Sequence, residues 1–135
     1  MSSKNRLIKY ILLLAAAAAA CFLLAPWYRS YVENDHAKTC RKARIQLILQ
    51  YRAALEEAGV PRNSGSDSVI EAALSSCMDE PFPEGTSLSA EGDSYIIKGP
   101  CLSGGTYHVL VDKNDPYDIL ITCDHDGHGQ VSLDP

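Results

Sequence analysis

The side chains of this chain best suited to chemistry are its cysteines and histidines. Five cysteines and four histidines are spread over 135 residues. Two histidines, His125 and His128, lie shortly after the last cysteine. Four cysteines follow residue 30, namely Cys40, Cys77, Cys101 and Cys123. Thiols and imidazoles in one small domain indicate either disulfide bonds or a metal site.

Disulfide bonds are the first interpretation. An even number of cysteines in residues 29–135, with a thin apolar core, is typical of exported domains that disulfides stabilise. The favoured pairs are Cys101 with Cys123, which flank the last two predicted strands, and Cys40 with Cys77, each on the inner face of a predicted helix. One such bond contributes on the order of 3 kcal/mol to stability. The competing state is four reduced thiols.

A metal site is the second interpretation, and it has two versions. In the first, Cys101 and Cys123 stay reduced and join His125 and His128 as ligands. In the second, the donors belong to one turn and are Asp124, His125, Asp126 and His128. That turn is a candidate for Zn²⁺ or Ca²⁺, although it lacks the ordered ligands and closing glutamate of an EF-hand. The sequence favours a simpler alternative, a polar turn with no metal and no other cofactor.

No pattern in the sequence indicates catalysis. The segment Ser103-Gly104-Gly105 lacks the strand-turn-helix context of a serine hydrolase. The sequence has no phosphate-binding loop, no dinucleotide-binding glycine pattern and no C-x-x-C redox pair. The protein is therefore predicted not to be an enzyme.

Charge and hydropathy divide the chain near residue 28. In residues 7–28, 20 of 22 side chains are apolar or aromatic. All 17 acidic residues follow residue 30 with only eight of the 12 basic ones, so this part carries a net charge of −9. Such a surface repels phosphate backbones, which excludes nucleic acid as a partner. Cations before an apolar span predict a cytoplasmic N-terminus and an extracellular C-terminal domain.

The apolar segment is predicted to be a single-pass anchor in the cell membrane. As a helix, residues 7–28 are roughly 33 Å long, enough for a hydrocarbon core of about 30 Å. The predicted organisation is a cytoplasmic N-terminus (1–9), a transmembrane helix (10–28) and an extracytoplasmic domain (29–135). The alternatives are a signal peptide cleaved after an A-x-A site, and lipidation of Cys21.

Two helices are expected in the N-terminal half of the exported domain. Residues 31–58 predict a helix because apolar or small residues recur every three or four positions, and Gly59 and Pro61 end it. With no breaker before it, the membrane helix is expected to continue into this one; two helices joined near residues 30–35 are the alternative. A short second helix follows, capped by Ser66 or Asp67.

The C-terminal half changes to the two-residue period of strands. Residues 95–98, 106–111 and 117–123 predict three strands, rich in Tyr, Ile, Val and Thr and separated by glycine-rich or turn-forming segments. Short connections favour an antiparallel arrangement. The predicted fold class is α+β, a long N-terminal helix packed on a small antiparallel sheet.

The C-terminal motifs resemble a known group. Cys40 and Tyr51 on the long helix are followed by C-L-S-G-G-T-Y at residues 101–107 and by I-T-C-D-H-D-G-H-G at residues 121–129. These features resemble type IV pilins and type II secretion pseudopilins of bacteria. The similarity is greatest to short Gram-positive versions, with C-P-x-G-G-x-Y and V-T-C-x-x-H-G segments. The resemblance implies a pilin-like fold.

The resemblance also implies a function. It indicates a structural or assembly protein of a pilus or pseudopilus-like system, whose partners are the membrane and other pilin-like subunits, contacted through the apolar helix. The sequence departs from the group at Leu102, in the spacing after Cys123, and in lacking the Gly-Phe-x-x-x-Glu motif that prepilin peptidase cleaves. The alternative is a solitary surface module that binds a metal or small ligand through residues 124–128.

Overall fold

Internal contacts divide the chain into two units. The computed structural model describes residues 3–78, 82 and 85–134. The units are Met1–Asp35 and His36–Pro135. The predicted boundary after residue 28 therefore lies inside the first unit.

The first helix, α1 (Ser3–Glu57), is 55 residues long and contains Pro26. It passes through residues 30–35 without interruption, so the alternative of two joined helices is not observed. Among the described residues, α1 is the one helix long and apolar enough to cross a membrane. Its most apolar 18-residue stretch has a mean hydropathy of 2.4, and none of that stretch is buried.

In the second unit, α1 buries the face that its periodicity predicts. The buried side chains of α1 are those of Cys40, Arg44, Leu47, Ile48, Tyr51 and Leu55. After α1, Gly59 adopts a φ of 71°, a left-handed conformation that glycine reaches without a steric penalty. The second helix, α2 (Asp67–Ser76), follows Ser66 as its N-cap and buries Ile70, Ala73 and Leu74.

Five antiparallel strands form the sheet, in chain order from one edge to the other. They are β1 (Ser87–Glu91), β2 (Ser94–Lys98), β3 (Thr106–Val111), β4 (Ile119–Cys123) and β5 (Gln130–Ser132). The three predicted strands are confirmed as β2, β3 and β4, although β4 begins two residues later than expected. The two edge strands escaped prediction because β1 is polar and mostly exposed and β5 has three residues, of which only Val131 is buried.

The core lies between one face of this sheet and the two helices. Alternate residues of the central strands are buried there: Tyr95, Ile97, Tyr107, Val109, Ile119 and Ile121. Tyr51 is fully buried, and its hydroxyl donates a hydrogen bond to the carbonyl oxygen of Pro116 at 2.7 Å. The fold class is α+β, as predicted.

Candidate metal centre

Four potential metal ligands converge where the sheet meets α1. Cys40 lies on the buried face of α1, and Cys123 is the last residue of β4. Cys101 lies between β2 and β3, and His128 lies between β4 and β5. Their sulfur atoms and an imidazole nitrogen all lie within 4.8 Å of one another. Three thiols and one imidazole in this arrangement could hold a metal ion.

The distances among Cys101, Cys123 and His128 match the edges of a small tetrahedron. Zn–S and Zn–N bonds in a tetrahedral site imply about 3.8 Å between two sulfurs and about 3.5 Å between sulfur and nitrogen. The Sγ atoms of Cys101 and Cys123 are 3.7 Å apart. The Nδ1 atom of His128 lies 3.5 Å from Cys101 Sγ and 3.6 Å from Cys123 Sγ. These three side chains are therefore spaced as the ligands of one tetrahedral ion.

The cluster is closed to solvent. All four side chains are buried, and the most exposed, His128, retains 7% of its accessible surface. Burial is the main reason that the pKa of the Cys123 thiol is raised to about 12. A buried thiol of this kind ionises readily only beside a cation, which a bound metal supplies.

The loop from Cys101 to β3 approaches the sulfurs closely at Gly105. A Cβ atom there would lie 2.6 Å from Cys123 Sγ and 3.2 Å from Cys101 Sγ. Its neighbour Gly104 has open space around it but a φ of 83°. The glycine pair therefore serves two needs, a left-handed turn at the first position and close packing against two ligands at the second.

Tyr107 and Arg44 lie next to residues of the cluster. The hydroxyl of Tyr107 lies 3.4 Å from Cys40 Sγ, and burial together with this contact raises the pKa of the phenol. The guanidinium of Arg44 lies 5.8 Å from the centre of the Tyr107 ring and donates to the carbonyl oxygens of Cys40 and His128. Groups that contact metal ligands in this way fix the orientation of those ligands.

The predicted turn site is only partly assembled. His128 belongs to the Cys3His cluster, whereas Asp124, His125 and Asp126 are not members of it. An Oδ1 atom of Asp124 accepts from the backbone N–H of Thr106 at 2.6 Å, so this carboxylate fastens the turn to β3. Asp126 is exposed, and the ring of half-buried His125 lies 4.6 Å from that of His128. In the version with two thiols, Cys40 therefore takes the place of His125.

The structure does not show the predicted disulfide pairing. All five cysteines, each within the described residues, are free thiols. Cys101 and Cys123 are neighbours, but at 3.7 Å their sulfurs are farther apart than the 2.05 Å of a disulfide. The thiol of Cys77 donates to the carbonyl oxygen of Ala73 on its own helix at 3.2 Å. Cys40 instead joins the cluster, because its part of α1 lies beside Cys123 at the end of β4.

Comparison of the chain with protein-family models, curated proteins and solved structures finds no match. The resemblance to pilins therefore stays a prediction from sequence motifs.

Proposed function

We propose that this protein is a membrane-anchored, extracytoplasmic structural domain whose fold is held by a zinc ion. The ligands of the ion are Cys40, Cys101, Cys123 and His128. The observation that carries the proposal is the spacing of this buried set, with edges of 3.5–3.7 Å between the three side chains nearest the sheet.

The ligand chemistry favours Zn²⁺ over Ca²⁺. Three thiolates and one imidazole are a usual set for structural zinc, whereas Ca²⁺ takes oxygen ligands. Four protein ligands leave no position for a substrate or an activated water molecule. A closed, buried site supports a structural role rather than a catalytic one.

The zinc ion would connect parts of the fold that lie far apart in the chain. Cys40 comes from α1, and the remaining ligands come from residues 101–128. No such site exists in the unfolded chain, so the free energy of metal binding becomes free energy of folding. A domain with a thin apolar core gains most from such a link.

Metal content and thiol count test this proposal directly. The full-length chain, purified in detergent micelles under anaerobic, reducing conditions, is expected to contain one zinc ion per molecule by elemental analysis. Replacement by Co²⁺ is expected to produce the visible spectrum of a tetrahedral thiolate site. After removal of the reductant and denaturation in chelator, all five cysteines are expected to react with an alkylating agent. Absence of metal would contradict the proposal, and so would a Cys101–Cys123 disulfide in a sample purified anaerobically without reductant.

The apolar part of α1, in the first unit, supports the proposed location in a membrane. The large apolar side chains of α1 before residue 32 are exposed, as a lipid-facing helix requires. Trp27, Tyr28 and Tyr31 follow the apolar run, and the rings of Trp27 and Tyr31 stack at 6.3 Å between centroids. Aromatic side chains at this position suit a membrane interface. We place the N-terminus in the cytoplasm and the second unit outside the cell.

A role in a pilin-like assembly is the form of this function that the sequence motifs favour. The supporting features are the exposed apolar helix, the α+β fold and the small side chains of residues 15–20, which permit helices to approach closely in lipid. The second candidate is a solitary surface module.

Cross-linking in native membranes separates these two candidates. The unsubstituted chain is expected to form oligomers, and replacement of the alanines at 15–20 by leucine is expected to reduce them at least severalfold, because bulkier side chains hold helices apart. Exposed Ala53, in the second unit, supplies the control: Ala53→Leu should leave the oligomers unchanged. A strict monomer before any substitution favours the solitary module. An intact mass that matches a chain beginning at Cys21 would contradict the anchor.

A further inference from the structure

Arg44 is a buried cation with no acidic partner in the described part of the chain. Its side chain is 0% exposed. Among residues 3–78, 82 and 85–134, the salt bridges involve His108 and Lys113 and none includes Arg44. Guanidinium groups stay protonated in proteins, so this site holds a full positive charge out of water.

The hydrogen bonds of Arg44 all go to backbone carbonyl oxygens. Nη2 donates to His128 at 2.6 Å, Nη1 donates to Gly129 at 2.5 Å and to Ile121 at 3.4 Å, and Nε donates to Cys40 at 3.3 Å. Two of these acceptors, Cys40 and His128, are residues of the Cys3His cluster. Carbonyl groups satisfy the N–H donors, but they are neutral and do not balance the charge.

The proposed metal centre carries the negative charge that would balance Arg44. Three thiolates contribute −3, a neutral imidazole contributes nothing and a divalent ion contributes +2, so the loaded centre carries −1. Two of the carbonyl groups that the guanidinium contacts belong to the proposed ligand residues Cys40 and His128. A +1 group and a −1 centre, buried together, form a neutral pair.

We propose that Arg44 is the counterion of an anionic metal–thiolate centre and that its charge raises the affinity of the site for Zn²⁺. The inference rests on the proposed zinc function and deepens it. With no metal bound and the thiols protonated, the guanidinium would have no balancing charge. Arg44 is in this sense a charge-balancing residue, not a ligand.

Arg52 offers a matched control on the same helix. It too spans from α1 to the C-terminal strands and donates to three backbone carbonyls, those of Tyr117, Leu133 and Asp134 at 3.0, 2.6 and 3.0 Å. It is half-buried and contacts no residue of the cluster. Arg52→Met therefore removes similar hydrogen bonds without removing charge from the metal centre.

The test is the zinc affinity of the full-length chain in detergent micelles, measured by competition with a chromogenic chelator under reducing conditions. Arg44→Met is expected to weaken binding about 10- to 100-fold, as loss of a supporting group around a metal does. Arg44→Lys keeps the charge but not the planar fork, and we expect its affinity to stay within about threefold of that of the unsubstituted chain. Arg52→Met should leave the affinity unchanged. If Arg44→Met does not fold, Arg44→Gln, which keeps N–H donors without charge, takes its place.

Repeating Arg44→Met in a neutral centre tests whether its effect depends on charge. Cys40→His converts the ligand set to two thiolates and two imidazoles, whose complex with Zn²⁺ carries no charge. In that background Arg44→Met should no longer weaken zinc binding. Equal losses for the Met and Lys variants, or no loss for Arg44→Met, would overturn the counterion role while zinc binding stands. An unsubstituted chain that binds no zinc would instead contradict the proposed function.

Discussion

Replacement of Cys123 by serine is expected to abolish zinc binding and to destabilise the second unit strongly. Cys123 ends β4, and its sulfur lies 3.7 Å from Cys101 Sγ and 3.6 Å from His128 Nδ1. A serine hydroxyl is a poor zinc ligand, so the three remaining side chains form an incomplete site. Because metal binding and folding are coupled, we expect the free energy of unfolding to fall by about 4 kcal/mol, which lowers the Tm by about 15–30 °C.

Cys77→Ser is the matched control for this substitution. Cys77 is as well buried as Cys123, at 4% exposure each, but its thiol bonds to its own helix. Serine at this position keeps a donor for the carbonyl of Ala73, so we expect full zinc content and a loss of at most about 1 kcal/mol. Elemental analysis and thermal unfolding followed by circular dichroism measure both effects. A chelator should lower the Tm of the Cys77 variant and leave that of Cys123→Ser unchanged.

Three outcomes would contradict this expectation. If Cys123→Ser kept one zinc ion per chain, the Cys3His cluster would not be the binding site. If Cys77→Ser lost zinc to the same degree, the effect would come from general loss of packing. If both variants lost the same stability, and only when the reductant is omitted, the stabilising link would be a disulfide rather than a metal.

Gly105→Ala is expected to damage the metal centre without altering any ligand. The added Cβ would lie 2.6 Å from Cys123 Sγ and 2.9 Å from the Cβ of His125, closer than side chains pack. Either the loop or the Cys123 side chain has to move, and the tetrahedral spacing is lost. We expect zinc affinity to fall about 10- to 100-fold, the range that follows when ligand positioning is disturbed.

Gly104→Ala separates this steric effect from ordinary loop strain. A Cβ at Gly104 meets nothing within 4 Å, but the φ of 83° disfavours any residue with a side chain. The expected result is a stability loss of about 1–2 kcal/mol with zinc affinity retained. Chelator competition and thermal unfolding, applied to both variants, make the distinction. Retained zinc affinity in Gly105→Ala would show that the sulfurs are not held where we place them.

The fold was predictable because its signals are local. The buried face of α1, from Cys40 to Leu55, repeats every three or four residues, and β2, β3 and β4 alternate with a period of two. The edge strands β1 and β5 carry too few apolar residues to produce such a signal. Nothing in the sequence indicates which distant carbonyl groups Arg44 meets, because these groups lie 77 to 85 residues further along the chain.

The Cys3His cluster was predictable only in part. Cys101, Cys123 and His128 appeared together in one interpretation, because they are close to one another in the C-terminal segment. The sequence pairs Cys40 with Cys77 on the next helix. In the structure the neighbours of Cys40 lie far along the chain, as does Tyr107, which is 67 residues away and 3.4 Å from its sulfur.

The sequence by itself determined the apolar N-terminal segment, the acidic domain behind it, and the order of helix and sheet, since composition and periodicity are properties of neighbouring residues. Only the tertiary structure decided which cysteines share a site and what surrounds Arg44. The hydrogen bond between Arg44 and the His128 carbonyl joins residues 84 positions apart. Such contacts depend on how α1 is aligned across the sheet, and that alignment results from the packing of the whole core.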